Sequence, residues 1–120
     1  MLELIQLIGL QVIKKMQEIP ITSNNFNCRL EVDGEKRYFN FAFRYNAISK
    51  MWFVDIKDLN KNQMLLNGLP LVPSQDLLEQ YKYKNMGSAY LVPRDETDEE
   101  YPSYNTLKNN WALLWGDSSE

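Results

Sequence analysis

The 120-residue sequence predicts an all-β domain, mainly antiparallel, built as a small barrel or sandwich of about six strands with one short helix. Three observations carry that prediction. Asp33-Gly34 separates two apolar-alternating runs, and a two-residue hairpin turn of type I′ needs positive φ at both central positions, which Asp and Gly tolerate best. In the run that follows, Phe39, Phe41, Phe43 and Tyr45 fall on one face and Tyr38, Asn40, Ala42 and Arg44 on the other. A period of two with a solid aromatic face is the pattern of a half-buried strand. Asn46-Ala47-Ile48-Ser49 then turns the chain, and Met51-Trp52-Phe53-Val54-Asp55-Ile56 returns it. Residues 28–57 thus form a three-stranded antiparallel meander, and the remaining elements pack on it or close it.

Size and composition bound the function. A chain of 120 residues supports one domain with a modest core of its own, and 44% hydrophobic with 24% charged residues is ordinary globular usage. The net charge of −3 argues against nucleic-acid binding through a broad basic surface. One cysteine excludes an internal disulfide, and with no histidine beside it a conventional zinc or redox metal site is disfavoured. The lack of histidine also removes the commonest general base. No cofactor is expected.

The chain divides into an N-terminal extension over residues 1–15 and a single β-rich domain over residues 16–120. The run LELIQLIGLQVI has the length of a signal h-region, but no basic segment precedes it and no small-residue cleavage site follows. Glu3, Gln6 and Gln11 interrupt it too often for a spanning helix. Three readings stay open: an amphipathic helix that packs on the domain or on a partner, an extension upstream of a natural start at Met16, and a membrane anchor. From Met16 the texture changes. Gln17 to Thr22 is extended, since Pro20 pushes its predecessor out of the helical region, and Ser23-Asn24-Asn25 is a turn cluster.

Beyond the meander, Met64-Leu65-Leu66-Asn67-Gly68 is the fourth strand, and Pro70 and Pro73 confine it to an edge or a loop. Ser74 is placed to cap a short helix over residues 75–81, with Asp76 in its first turn. Ser88-Ala89-Tyr90-Leu91-Val92 is the fifth strand, ended by Pro93. Trp111-Ala112-Leu113-Leu114-Trp115 is the last, with both tryptophans on one face.

Several motifs occur here in a recognisable order. Ile19-Pro20-Ile21, Arg44-Tyr45-Asn46 and Trp52-Phe53-Val54-Asp55-Ile56 come first. Leu69-Pro70-Leu71-Val72-Pro73, Asp76-Leu77-Leu78-Glu79-Gln80-Tyr81, Gly87-Ser88 and Pro102-Ser103-Tyr104-Asn105-Thr106-Leu107 follow. Together they resemble the small baseplate plug proteins of contractile-tailed phages, including those of cyanophages, from about residue 16 to residue 115. The resemblance implies a β-rich, non-enzymatic virion component at the central hub of the tail baseplate, with other baseplate proteins (hub, spike, tube or wedge) as partners. It transfers no catalytic residue. The first 15 residues depart from it, because such proteins begin near the position of Met16.

The candidate sites are weighed accordingly. Residues 95–100 are acidic except for Thr97, but lack the alternating ligands and central glycine of a calcium loop, so a solvated loop is the better reading. Asp55 and Asp58 are too differently placed to act as a hydrolytic carboxylate pair. Cys28 is a small apolar residue at a strand start. Trp52, Trp111, Trp115 and the Phe39 stripe are expected to be core, with an aromatic face for carbohydrate or peptide as the rival function. Apolar surface beyond what six strands must hide points to protein contacts. Its candidate residues are Leu71, Val72, Tyr81, Tyr83, Trp111 and Trp115. No nucleic acid or small-molecule substrate is expected, and a membrane is disfavoured.

Overall fold

In the computed structural model, which describes residues 16–118, four consecutive strands make one sheet: β2 (Asn25–Val32), β3 (Glu35–Asn46), β4 (Met51–Asp58) and β5 (Gln63–Pro70). They pair antiparallel in chain order, so each connection is a hairpin. The N-terminal extension, with its three readings, lies outside the described residues. The β2–β3 turn closes on the pair Val32 and Glu35, with Asp33 at φ 52° and Gly34 at φ 81°, the type I′ geometry that Asp-Gly predicts.

The other two hairpins share one solution. The last residue of the strand carries a short side chain whose oxygen caps the turn. Asn46 Oδ1 accepts from Ile48 N at 2.9 Å and Ser49 N at 3.0 Å. Asp58 Oδ1 accepts from Asn60 N at 2.9 Å and Lys61 N at 3.1 Å. Asx side chains satisfy turn N–H groups in this way, and each loop then leaves through a left-handed residue, Lys50 at φ 59° or Asn62 at φ 52°.

Alternation along β3 and β4 decides which face is buried. Phe39, Phe41, Phe43, Trp52, Val54 and Ile56 point to the core, while Tyr38, Asn40, Arg44, Phe53, Asp55 and Lys57 keep some exposure. A second sheet covers the apolar face: β1 (Gln17–Ile19), β7 (Trp111–Gly116) and β6 (Ser88–Pro93), in that spatial order and all antiparallel. Among the described residues the architecture is therefore a sandwich of seven strands and not a closed barrel. The strand beyond the expected six is β1. Three extended residues carry no periodicity of their own, and their partner is the free edge of β7 at the other end of the described chain.

The expected helix over residues 75–81 is displaced. A 3₁₀ helix occupies Glu79–Lys84, and Ser74 sits at φ 69° instead of capping. Asp76 explains the shift. Its Oδ1 accepts from Leu78 N at 3.0 Å and Ala89 N at 3.1 Å, while Leu77 N donates to Ala89 O at 2.8 Å. These bonds hold residues 76 and 77 against the edge of β6, so the chain coils only afterwards. A single helical turn, α1 (Leu107–Asn110), precedes β7 and was not expected.

Trp115 joins the two layers. Its ring lies edge-on to Phe39 and Phe41, with centroids 6.2 Å and 5.6 Å away. At the same end of the sandwich the backbone of Gly87, at φ +89°, passes so close to β7 that a Cβ would lie 2.3 Å from Gly116 O. Only glycine fits there.

Candidate interface surfaces

The residues expected at an interface divide into two groups. Leu71, Trp111 and Trp115 are buried in the core, at 1%, 2% and 1% exposure, so they are packing residues and not surface. Buried indoles need a partner for their N–H, and here irregular segments supply it. Trp115 Nε1 donates to Met86 O at 2.8 Å, Trp52 Nε1 to Ser103 O at 2.8 Å, and Trp111 Nε1 to Glu99 Oε1 at 3.3 Å. Each tryptophan thus pins a long connection onto the sandwich. Leu71 N donates to Trp52 O, extending the β4–β5 ladder past Pro70.

Val72 and Tyr81 are half-buried and line one groove of about 370 Å³ together with Pro70 and Gln80. Tyr83 stands apart at 75% exposure, with Lys84 Nζ 5.7 Å from its ring centroid. Three exposed apolar residues, Ile48, Met64 on β5 and Tyr104, escape the sequence reading. Ile48, 96% exposed, forms the tip of the β3–β4 loop, where its position in a turn cluster hid its exposure. Tyr104 lies parallel over Trp52 at 6.1 Å and meets Tyr45 edge-on at 5.4 Å. Because Trp52, Trp111 and Trp115 are buried, they form no platform for a sugar ring.

Asp55, Asp58 and Asp76 each accept from backbone N–H groups. Asp55 faces outward, accepting from Gly68 N at 2.7 Å and Arg44 Nη2 at 3.1 Å, and Asp58 points to the opposite face with Arg37 at 3.6 Å. They do not converge. Asp76 Oδ2 takes Lys82 Nζ at 2.6 Å, and that ammonium also donates to Ser88 Oγ at 2.8 Å. Within the acidic loop Glu99 turns inward to Trp111 and Thr106, while Asp95, Glu96, Asp98 and Glu100 stay exposed. Burial pushes the Cys28 thiol above its ordinary pKa. Among the described residues no three His, Cys, Asp or Glu side chains come together as a metal site would need.

The outer face of the four-stranded sheet carries a different chemistry. The Arg29 guanidinium sits 4.1 Å from the Tyr38 ring centroid, and that of Arg44 5.9 Å from Phe53. Asn40 Nδ2 bridges to the side-chain oxygens of Asn25 and Asn27, each at 2.8 Å. The face is ordered, polar and basic.

Polar side chains that hold loops to a rigid β-sandwich, with exposed apolar residues at its ends, define a structural protein that works by contact. Residues 16–118 match the family described as cyanophage baseplate Pam3 plug gp18, and the chain belongs to that family. It is a structural component of a phage baseplate and hence a part of the virion tail. The resemblance drawn from the ordered motifs and the family match agree. Among curated proteins none matches the chain. No helix among the described residues is long and apolar enough to cross a membrane.

Proposed function

We propose that the protein is a non-enzymatic plug that packs at the central hub of the baseplate after synthesis in the cytoplasm of the bacterial host. Its partners are other baseplate proteins of the hub, spike, tube or wedge, and it takes no nucleic acid, cofactor or small-molecule substrate. The observation that carries this reading is the family match over residues 16–118. The burial pattern supports it. Val72, Tyr81 and Tyr83, with Ile48 and Tyr104, offer apolar and aromatic side chains of the kind that anchor protein interfaces. Leu71, Trp111 and Trp115 act from beneath by holding the segments that carry them.

Cryo-electron microscopy of virions tests the reading. The expected result is density for this sandwich on the tail axis at the hub. Density at the baseplate periphery, or absence of the chain from purified tails by mass spectrometry, overturns it. In the same particles Tyr83→Asp with Val72→Asp lowers incorporation while leaving the purified chain folded. Hydrolysis of peptidoglycan by the purified protein, lost on Asp55→Asn, would refute the non-enzymatic part.

A further inference from the structure

We propose that the outer face of the four-stranded sheet docks the acidic loop at residues 95–100 of a second copy of this chain. The face carries Arg29, Lys36, Arg44 and Lys57 against two carboxylates, Glu31 directly across from Lys36 and Asp55 engaged by Arg44 at 3.1 Å, which leaves an excess of two positive charges. In a protein of net charge −3 that excess of cations on one surface is segregation, not composition. Two of the cations are held in place before any partner arrives, Arg29 over Tyr38 and Arg44 by Asp55 and Phe53. Arginine beside aromatic rings is the composition enriched where interfaces carry their energy.

The counterpart is on the same molecule. Glu99 is drawn inward by the Trp111 indole and the Thr106 hydroxyl, and its N–H is taken by Thr97 Oγ1 at 3.1 Å. The loop is thereby fixed from below, and Asp95, Glu96, Asp98 and Glu100 project into solvent. Docking then has to order the four exposed carboxylate side chains and not the backbone at Glu99 beneath them. The loop leaves β6 in the three-stranded sheet, whereas the basic face belongs to the other sheet and points away from it, so one copy cannot satisfy itself. Contact between two different patches is heterologous, and such contacts close into rings or continue as chains.

The magnitude follows from the dimensions. Four strands about 4.8 Å apart and roughly eight residues long at about 3.3 Å each present a face on the order of 500 Å². That is below the roughly 800 Å² per partner of a standard interface. The contact is therefore weak in isolation, strongly screened by salt, and additive with other contacts in an assembly.

Sedimentation velocity on the full chain tests this. Wild type associates in a concentration-dependent way at about 20 mM salt and at least about tenfold more weakly at about 300 mM, where the Debye length has shortened several-fold. The pair Arg29→Glu with Lys36→Glu, both exposed, abolishes association, and so does Glu96→Lys with Glu100→Lys. An equimolar mixture of the two variants restores it, because the unchanged face of the loop variant meets the unchanged loop of the face variant, and the two reversed patches attract one another as well. A circular dichroism melt establishes that each variant is folded, and the milder Arg29→Gln with Lys36→Gln replaces the first pair if reversal unfolds it. A wild type that stays monomeric at low salt overturns the proposal, as does association indifferent to either pair. Failure of the mixture to restore association also overturns it. So does single-stranded DNA binding lost with the face variant alone while self-association persists, since the occupant is then nucleic acid.

Discussion

The two sheets of this sandwich are built on opposite principles. In the four-stranded sheet every strand pairs with its neighbour in sequence, and β3 and β4 alternate buried with partly exposed residues. In the three-stranded sheet Gln17 pairs with Trp115, β6 and β7 are apolar almost throughout, and both are buried nearly end to end. The first sheet is specified by turns and periodicity. The second is specified by what it packs on. Local pairings close short loops at small entropic cost, while long-range ones wait until the rest of the chain is in place. The four-stranded meander is accordingly the part that can form first, and the three-stranded sheet depends on its apolar face.

The sharpest way to break that dependence is Trp115→Ala. The indole fills the space between the layers and satisfies Met86 O, so its removal leaves a cavity and an orphaned carbonyl. The expected loss is about 3–5 kcal/mol, read as the midpoint shift in urea unfolding followed by both fluorescence and far-UV circular dichroism. A loss below about 1 kcal/mol would mean that the layers hold together without it.

A matched glycine pair separates turn strain from the close approach of Gly87 to the neighbouring strand β7. Gly87→Ala adds a Cβ 2.3 Å from Gly116 O at a residue with φ +89°, and is expected to cost about 2–4 kcal/mol from backbone strain and overpacking together. Gly34→Ala meets nothing within 4 Å at φ +81° and carries the strain alone, about 1–2 kcal/mol. Equal losses in parallel chemical melts would show that the Gly87–Gly116 approach relaxes freely.

Asp76→Ala loosens the attachment of the 3₁₀ segment to β6 by removing the acceptor for Leu78 N, Ala89 N and Lys82 Nζ. A cost of about 2–3 kcal/mol is expected from the buried donors left unpaired. Hydrogen exchange should show the Ala89 amide losing protection while the β3 amides keep theirs. Uniform loss across both sheets would contradict the independence of the meander.

The smallest effect concerns the clasp between the β2–β3 turn and the C-terminal residues. Asp33 accepts from the Ser118 hydroxyl at 2.7 Å and the Ser118 N–H at 2.9 Å, and these bonds hold its carboxyl below the ordinary aspartate pKa. A depressed folded-state pKa contributes stability that is present above the unfolded value and lost as pH falls through the folded one, so the clasp weakens only below about pH 4. Ser118→Ala should raise the Asp33 midpoint in an NMR titration toward the ordinary value and leave the thermal midpoint at neutral pH almost unchanged. An unmoved midpoint would mean that the bonds do not persist in solution.

Sequence alone determined the meander, because everything it needed lies within a few residues. Asp33-Gly34 supplies positive φ, Phe39 to Tyr45 supplies the period, and Pro70 marks β5 as an edge. The apolar runs SAYLV and WALLW were legible as strands, and the ordered motifs were enough to indicate the family. Tertiary structure decided what depends on partners far away in the chain. Gln17–Ile19 became a strand because β7 had a free edge, and Asp76 displaced the helix that Ser74 was placed to begin. Trp111 and Trp115 lie in the core, as expected of aromatics on strand faces, and not at the interface for which they are also candidates, since a run of apolar residues does not say which of its faces will be covered. The same holds for the exposed side chains: Ile48 and Tyr104 protrude because the turn and the long loop that carry them are pinned by Asn46, Trp52 and Glu99. Backbone propensity acts over a turn or a strand, whereas burial is a property of the whole packed chain, and a contact surface is what remains after every layer has found its cover.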